Sequence, residues 1–323
     1  SQWQDEAAAA LAQFDPASLP DVADAGAALL QLLGSPNIAD KSWVTRQYDQ
    51  QVLTNTVVVP GSDAGVVRIK GTNRAIALCT DGDGRAVQLN PRAGAARTVA
   101  EAARNVACTG ARPLAVTDCL NFGNPERPEI YYQLSQAVLG IADACRAFET
   151  PVVSGNVSLY NETPDGPVTP TPVIGMLGLL EDVTKVVPMG FQAEGDVALL
   201  VGAGLAQSAG SLGGSEYLAV AHETEAGPVE VDLTAEAALV DFLVAAADDG
   251  LLRSAHDVSG GGLAVAIAEC AMANGIGLDA TSAELAAAKT VRRGRPGASR
   301  SSPPQPPRRA TRSRAPRGRE DLK

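Results

Sequence analysis

Short apolar runs that end in polar residues dominate the middle of the chain. One run, 113–117, leads into Asp118, and a second, 151–153, leads towards Asn156. Between them, the segment 129–150 has the apolar spacing of a single helix. The order strand–helix–strand predicts two neighbouring parallel strands with the helix packed over them.

The same alternation predicts the rest of a mixed α/β (α+β) sheet domain with helices on one side. Strands are expected at 51–59, 65–70, 74–80 and 173–180, and a helix from 90 through 108. We divide the chain into a helical segment with a linker, this sheet domain, a second and smaller α/β domain, and a basic tail. The respective boundaries are 1–40, 41–188, 189–288 and 289–323. The second domain should contain a strand at 196–201 and helices at 233–248 and from Leu263.

Charge is distributed unevenly along the chain. Residues 1–288 contain 14 Lys and Arg against 35 Asp and Glu, a net charge of −21. Residues 289–323 contain 12 basic and two acidic residues, a net charge of +10. An acidic body argues against a nucleic-acid-binding core. The tail is rich in Arg, Pro and Ser and is expected to be disordered.

Cysteine usage and hydropathy indicate a cytoplasmic protein. The five cysteines are scattered and form no CxxC pair, so they are interpreted as free thiols and not as a disulfide framework or a zinc site. No apolar run reaches the roughly 18 residues that a membrane helix needs, and the acidic N-terminus does not resemble a signal peptide. We therefore expect no membrane partner.

The candidate chemistry lies where the two central strands end. A carboxylate (Asp118), amides, hydroxyls and a glycine are expected to meet there, because ligands of open α/β sheets bind at the carboxyl ends of the strands. Oxygen ligands without a thiolate suit Mg²⁺ with a phosphate, and Gly155 would let a ligand approach the backbone. The alternative for Asp118 and for Asn156 is a side chain that only caps a turn.

Three other motifs have both a chemical and a structural interpretation. Asp81 and Asp83 could hold Mg²⁺, but an ordinary Asp-Gly hairpin turn is favoured. Ser259 and the glycines after it could form a phosphate nest, or simply cap the helix that follows. His256 has no evident nucleophile partner, which favours a structural role.

The strings TDCLNFGNPERPE, PVVSGNVSLYNE and TPTPVIGMLGLLEDV resemble the large subunit of phosphoribosylformylglycinamidine synthase. The resemblance runs from about Gln31 to about Glu284 and concerns only the second half of that subunit. It implies a repeated unit related to aminoimidazole ribonucleotide synthetase, with its second domain cut short. It also implies the ATP-dependent conversion of formylglycinamide ribonucleotide to the amidine in purine biosynthesis, which makes the protein a ligase that forms C–N bonds.

The resemblance implies cofactors, partners and roles for individual residues. ATP and Mg²⁺ are the implied cofactors, and the glutaminase subunit (PurQ), the small subunit (PurS) and the first half of the same subunit are the implied partners. Carried over position by position, Asp118 and Gly155 would contact the nucleotide, Asn156 would bind Mg²⁺, and Ser158 would contact the substrate. The family's catalytic histidine belongs to the other half, so no catalytic residue is assigned and the fragment is expected to be inactive alone.

The chain departs from the family in two places. Where the first half of the family carries a His-Asn-His-Pro run, this chain has Gln88 to Pro91 without a histidine. After Glu284 the resemblance stops, and a shift of reading frame in a GC-rich gene is preferred over a natural basic tail. Two alternatives remain: another ATP-dependent enzyme of the wider superfamily, such as thiamine-monophosphate kinase, or a non-catalytic scaffold that binds nucleotide structurally or not at all.

Overall fold

The computed structural model describes residues 13–15, 18–20, 22–202 and 212–279 of the 323-residue chain. The predicted tail at 289–323 and the end of the predicted second domain lie outside these residues. The fold is built around one six-stranded sheet and a small two-stranded hairpin.

The large sheet is mixed, as predicted. Its strands are β1 (Thr56–Val58), β2 (Gly65–Arg68), β3 (Ala75–Asp81), β4 (Arg112–Asn121), β5 (Val152–Ser158) and β8 (Thr171–Leu180). They lie in the order β1-β2-β3-β8-β4-β5, in which only β4 and β5 are parallel. The hairpin consists of β6 (Glu162–Thr163) and β7 (Gly166–Pro167).

Strand β8 fixes the two faces of the sheet. It pairs with β3 on one side and with β4 on the other, antiparallel in both cases. Every second residue of β8 is buried, including Ile174 and Met176, and the residues between them are half-buried. One face is therefore covered, which we call the helix face, and the other, the open face, is less protected.

The helix face is covered mainly by one long helix, to which other helices are added. The helices of the described residues are α1 (Ala25–Leu33), α2 (Ser42–Thr45), α3 (Gly84–Leu89), α4 (Pro91–Cys108), α5 (Pro128–Ala147), α6 (Glu216–His222), α7 (Leu233–Asp248) and α8 (Gly262–Asn274). Helix α4 packs on the strands, and its small residues are almost all buried beneath α5 and α7. Burial of this apolar stripe is the main favourable contribution to folding.

The first turns of α4 approach α5 very closely. A Cβ atom added at Gly140 of α5 would lie 2.1 Å from the carbonyl oxygen of Arg92. A glycine is therefore required at this helix crossing. Helix α5 ends at Ala147, three residues before the predicted end, because Glu149 has a φ of +57° that no α-helix accommodates.

The second part of the chain departs from prediction in one strand. Residues 196–201 were expected to form a strand but are irregular, and Val197 and Leu199 are largely exposed. This segment belongs to neither sheet of the described residues, so its backbone lacks a ladder partner. Helix α7, by contrast, has the predicted bounds of 233 and 248.

Asp83 and Ser259 do not have the turn and cap roles that were predicted for them. Asp83 does not form a hairpin turn: its carboxylate accepts a hydrogen bond from the Ala86 amide and caps α3. Ser259 is not the N-cap of α8, because the chain makes one more turn after it. Gly261 occupies the cap position, and the Gly262 amide donates to the Ser259 carbonyl oxygen.

Replacing Gly140 tests the close crossing of α4 and α5. We expect Gly140→Ala to lower the free energy of unfolding by about 1–3 kcal/mol, because the added methyl must push the two helices apart. Chemical denaturation monitored by circular dichroism measures this loss. The control is Gly260→Ala, where the new Cβ would meet nothing within 4 Å. Equal stabilities of the two variants would contradict the packing argument.

Candidate functional site

Asp118 lies within β4, three residues before the strand ends. In the sheet it lies opposite Ile174 of β8 on one side and Gly155 of β5 on the other. Since Ile174 faces the helices, so does Asp118. The Asp118 carboxylate lies directly over Gly155, and a Cβ atom at residue 155 would be 2.0 Å from Asp118 Oδ1.

The surroundings of Asp118 are partly desolvated. Burial raises the pKa of its carboxyl group above the usual range. The neighbouring thiol of Cys145, on α5, has a raised pKa because of burial and, to a smaller extent, because of the negative charge of Asp118. The carboxylate thus sits between the outer strand β5 and the helix layer.

Asn156 follows Gly155 and therefore lies on the open face. It is opposite Cys119 of β4, and its Nδ2 atom is 3.8 Å from the Cys119 sulfur. Asn121 lies on the same face, and its Nδ2 atom donates to the Thr171 carbonyl oxygen at 3.0 Å. Amide groups therefore gather on the open face near the carboxyl ends of β4 and β5.

Ser158 ends β5 opposite Asn121, and its hydroxyl group is fixed by Asn161. The Ser158 hydroxyl donates to Asn161 Oδ1 at 3.1 Å, and Asn161 Nδ2 donates to the carbonyl oxygens of Ser158 and Phe122. Sequence reasoning assigned no role to Asn161. It follows Tyr160, which has a φ of +60°, and its amide N–H donates to the Phe122 carbonyl oxygen.

The structure separates residues that the sequence interpretation placed together. Asp118 and Gly155 lie on the helix face, and Asn156 and Ser158 lie on the open face. The alternative that Asp118 and Asn156 only cap turns is wrong, because both are inside strands. The strand ends do converge, but they present two sets of groups on opposite sides of the sheet.

The open face fits a magnesium ion held by few protein atoms. Asn156 is exposed there and offers a neutral amide oxygen, and Mg²⁺ typically takes one or two protein oxygens together with water and phosphate oxygens. Within the part of the chain that the structure describes, no group of three or more His, Cys, Asp or Glu side chains could hold a metal ion. A closed all-protein cage is therefore not present among these residues.

The arginines at the start of α4 already have partners. Arg92 pairs with Asp143 of α5 at 2.5 Å. Arg97 pairs with Asp83 at 2.8 Å and also donates to the Gly213 carbonyl oxygen. Asp83 is thus occupied as a cap and an ion-pair partner, while Asp81 accepts a hydrogen bond from Asn105 at 2.8 Å.

A second group of charged residues joins the sheet domain to the later helices. Arg104 of α4 pairs with Asp257 at 2.7 Å and with Glu236 of α7 at 2.8 Å. Burial raises the pKa of Asp81 to about 6 and that of Glu101, also on α4, to about 8. The negative charge of Asp257 adds to the effect of burial, and the positive charge of Arg104 opposes it.

His256 links three separate segments. Its Nδ1 atom is 2.9 Å from Asp63 Oδ1, in the loop before β2, and its Nε2 atom is 3.0 Å from Glu269 Oε2 on α8. Burial by itself would lower the pKa of His256, but the hydrogen bonds with Asp63 and Glu269 raise it to about 10. At neutral pH it is therefore an imidazolium ion with a structural role.

The five cysteines are free thiols, as the sequence indicated, although Cys79 and Cys119 are only half-buried. None of the helices in the described ranges has the length and apolar character needed to span a membrane.

Comparisons with known proteins identify relatives over both parts of the chain. Residues 61–180 match the N-terminal domain of AIR synthase related protein, and residues 193–298 match the C-terminal domain. The second match extends past the expected domain end at 288. The chain is 50% identical over 270 residues to the phosphoribosylformylglycinamidine synthase subunit PurL of Alkaliphilus metalliredigens. It is 52% identical over 268 residues to that of Moorella thermoacetica.

The chain spans about a third of the length of these curated relatives. Each alignment covers 83% of this chain and 36% of the relative. Among solved structures, PurLQS from Thermotoga maritima aligns with a TM-score of 0.44 and 37% identity, over 46% of this chain and 25% of the other. A TM-score below 0.5 is too low to carry an argument about this chain.

The paired His256 predicts how stability depends on pH. The pKa of His256 is raised from 6.5 to about 10, so its stabilising contribution is complete below pH 6.5 and is lost as pH rises towards 10. We expect the wild-type protein to lose stability over this range, by up to about 1.4 kcal/mol for each unit of raised pKa. Denaturant unfolding at pH 6, 8 and 9.5 measures the slope.

The control for this measurement is His256→Gln, which keeps polar contacts but has no proton to lose. Its stability should be lower at pH 6 and should change less than that of the wild type up to pH 9.5. Parallel pH profiles for the two proteins would show that His256 is not the group responsible.

Proposed function

Since this chain belongs to the family of the phosphoribosylformylglycinamidine synthase subunit PurL, we propose that it forms the nucleotide-binding second half of such a subunit. The observation that carries this proposal is the identity of 50% to PurL over 270 residues. The match to the N-terminal domain of AIR synthase related protein, residues 61–180, includes the strands that hold the candidate residues. The aligned region is about a third of a PurL subunit and would lie within its second half, so the chain would act together with the remainder of the subunit.

The proposed reaction is the ATP-dependent conversion of formylglycinamide ribonucleotide to formylglycinamidine ribonucleotide. The amide oxygen of the substrate is phosphorylated, which converts a poor leaving group into phosphate, and ammonia then displaces it at the same carbon. Because phosphoryl transfer depends mainly on positioning and charge neutralisation, the contribution of this chain would be to bind and orient the reactants.

The candidate residues have distinct proposed roles on the two faces. Asp118, with Gly155 beneath it, would contact the nucleotide from the helix face. Asn156 would bind Mg²⁺ with its amide oxygen on the open face, and a nucleotide that crosses the outer edge of β5 would bring its phosphates to the ion. Ser158, whose hydroxyl is held by Asn161, would donate a hydrogen bond to the substrate.

The proposed partners follow from the need for ammonia. The nucleophile arrangement of a glutaminase is not evident in this sequence, so a glutaminase subunit (PurQ), with the small subunit PurS, would supply ammonia. The first half of a PurL subunit would supply the catalytic histidine and the second wall of the site. We propose a cytoplasmic location, as for a pathway of soluble metabolites.

Calorimetric titration with Mg²⁺-ATP tests the nucleotide site directly. We expect saturable binding by this chain, and binding at least about tenfold weaker in Asp118→Asn, because the neutral side chain removes a charge-assisted contact. Circular dichroism would confirm that both proteins are folded.

The matched control is Asp241→Asn, the same chemical change at an exposed position on α7. Among the residues that the structure describes, Asp241 pairs with Arg112, and both side chains are more than half exposed, so this pair contributes little to stability. Its Mg²⁺-ATP affinity should equal that of the wild type. A folded wild-type chain that fails to bind would contradict the proposed site, as would equal binding by Asp118→Asn.

A further inference from the structure

The space beside Gly155 is filled by the side chain of Asp118. An ideal Cβ atom at residue 155 would be 2.0 Å from Asp118 Oδ1, 3.0 Å from its Cγ and 3.0 Å from its carbonyl oxygen. Real Cβ atoms essentially never approach another heavy atom within 3.0 Å. The space that the missing side chain leaves at residue 155 is therefore occupied by a side chain of the neighbouring strand.

The backbone conformation of Gly155 does not by itself require glycine. It is not among the described glycines with a positive φ, and it lies in a regular parallel ladder opposite Asp118. An alanine could adopt this conformation without strain. An alanine side chain would, however, displace the Asp118 carboxylate.

The position of Asp118 in turn depends on its neighbours in the sheet. On its other side lies Ile174, which is fully buried on the same face, and above it α5 contributes Cys145. The carboxylate therefore has room on the β5 side, over Gly155, where the strand is at the edge of the sheet.

We infer that Gly155 is a positioning residue, which acts by leaving the space in which the Asp118 carboxylate is held at the outer strand. This differs from the usual interpretation of such a glycine, in which a ligand approaches the backbone. The part of the inference that concerns nucleotide binding rests on the proposed function. The steric part does not.

A double-mutant cycle distinguishes a glycine that makes room for Asp118 from a glycine that contacts the ligand directly. The proteins are the wild type, Gly155→Ala, Asp118→Ala and the double variant, each as the full chain. Gly155→Ala alone should lower the melting temperature by about 4 °C or more. Added to Asp118→Ala it should lower it by less than half as much, because only the 3.0 Å contact with the carbonyl oxygen then remains.

The binding cycle uses Mg²⁺-ATP as the probe. Gly155→Ala should weaken binding at least about tenfold, and the double variant should bind no more weakly than Asp118→Ala. The inference would be overturned if the losses of affinity caused by the two single substitutions multiplied in the double variant. That result would mean that Gly155 contacts the ligand independently of Asp118. If Gly155→Ala lowered the melting temperature equally in the wild type and in Asp118→Ala, the steric part of the inference would be overturned.

A third measurement reports the carboxyl group itself. In Gly155→Ala, carboxyl-carbon NMR titration should show the pKa of Asp118 falling towards that of an exposed aspartate, because the displaced group enters solvent. An unchanged titration would contradict the inference. The control is Gly277→Ala, where an added Cβ would meet nothing within 4 Å, and which should match the wild type in all three measurements.

If the wild-type chain binds no Mg²⁺-ATP, the proposed function fails, while the melting temperatures and the NMR titration still decide the steric inference. If the wild-type chain binds but the cycles are additive, the proposed function survives and the inference fails.

Discussion

The packing of α4 against the buried residues of β8 determines how the rest of the molecule is arranged. Because β8 lies between β3 and β4, its alternation of buried and half-buried residues sets the face of every side chain in those two strands. Asp118 and Asp81 both lie opposite Ile174, so both carboxylates are directed to the helix face. Burial there raises the pKa of each.

Much of the fold could be predicted from the sequence because its signals are local. The alternation in 171–180 and the helical spacing in α5 and α7 each depend on neighbouring residues alone, and the bounds of α7 were predicted to the residue. The specific strings around Asp118 and Asn156 were sufficient to indicate the family. The β4–α5–β5 unit followed from element order, since parallel strands need a crossover of this length.

What the sequence could not supply was the register between distant strands. A shift between Val116 and Thr117 changes how β4 meets β5, and it leaves Asp118 over Gly155 and Asn156 over Cys119. A shift of one residue in the strand register would move every side chain of a strand to the other face of the sheet. No local sequence pattern therefore shows that Asp118 and Asn156 lie on opposite sides. The wrong prediction of a strand at 196–201 has the same cause, because a strand needs a partner that its own residues do not specify.

The strand order also has a consequence for how the protein is made. Strands β3 and β4 are adjacent to β8 and not to each other, yet β8 is the last of the six to leave the ribosome. Until Leu180 has emerged, the edges of β3 and β4 that face β8 have no ladder partner, and the apolar face of α4 has no central strand to cover. Such long-range pairing slows folding and prolongs exposure of apolar surface. Aggregation of the nascent chain is therefore a hazard up to the synthesis of this one strand.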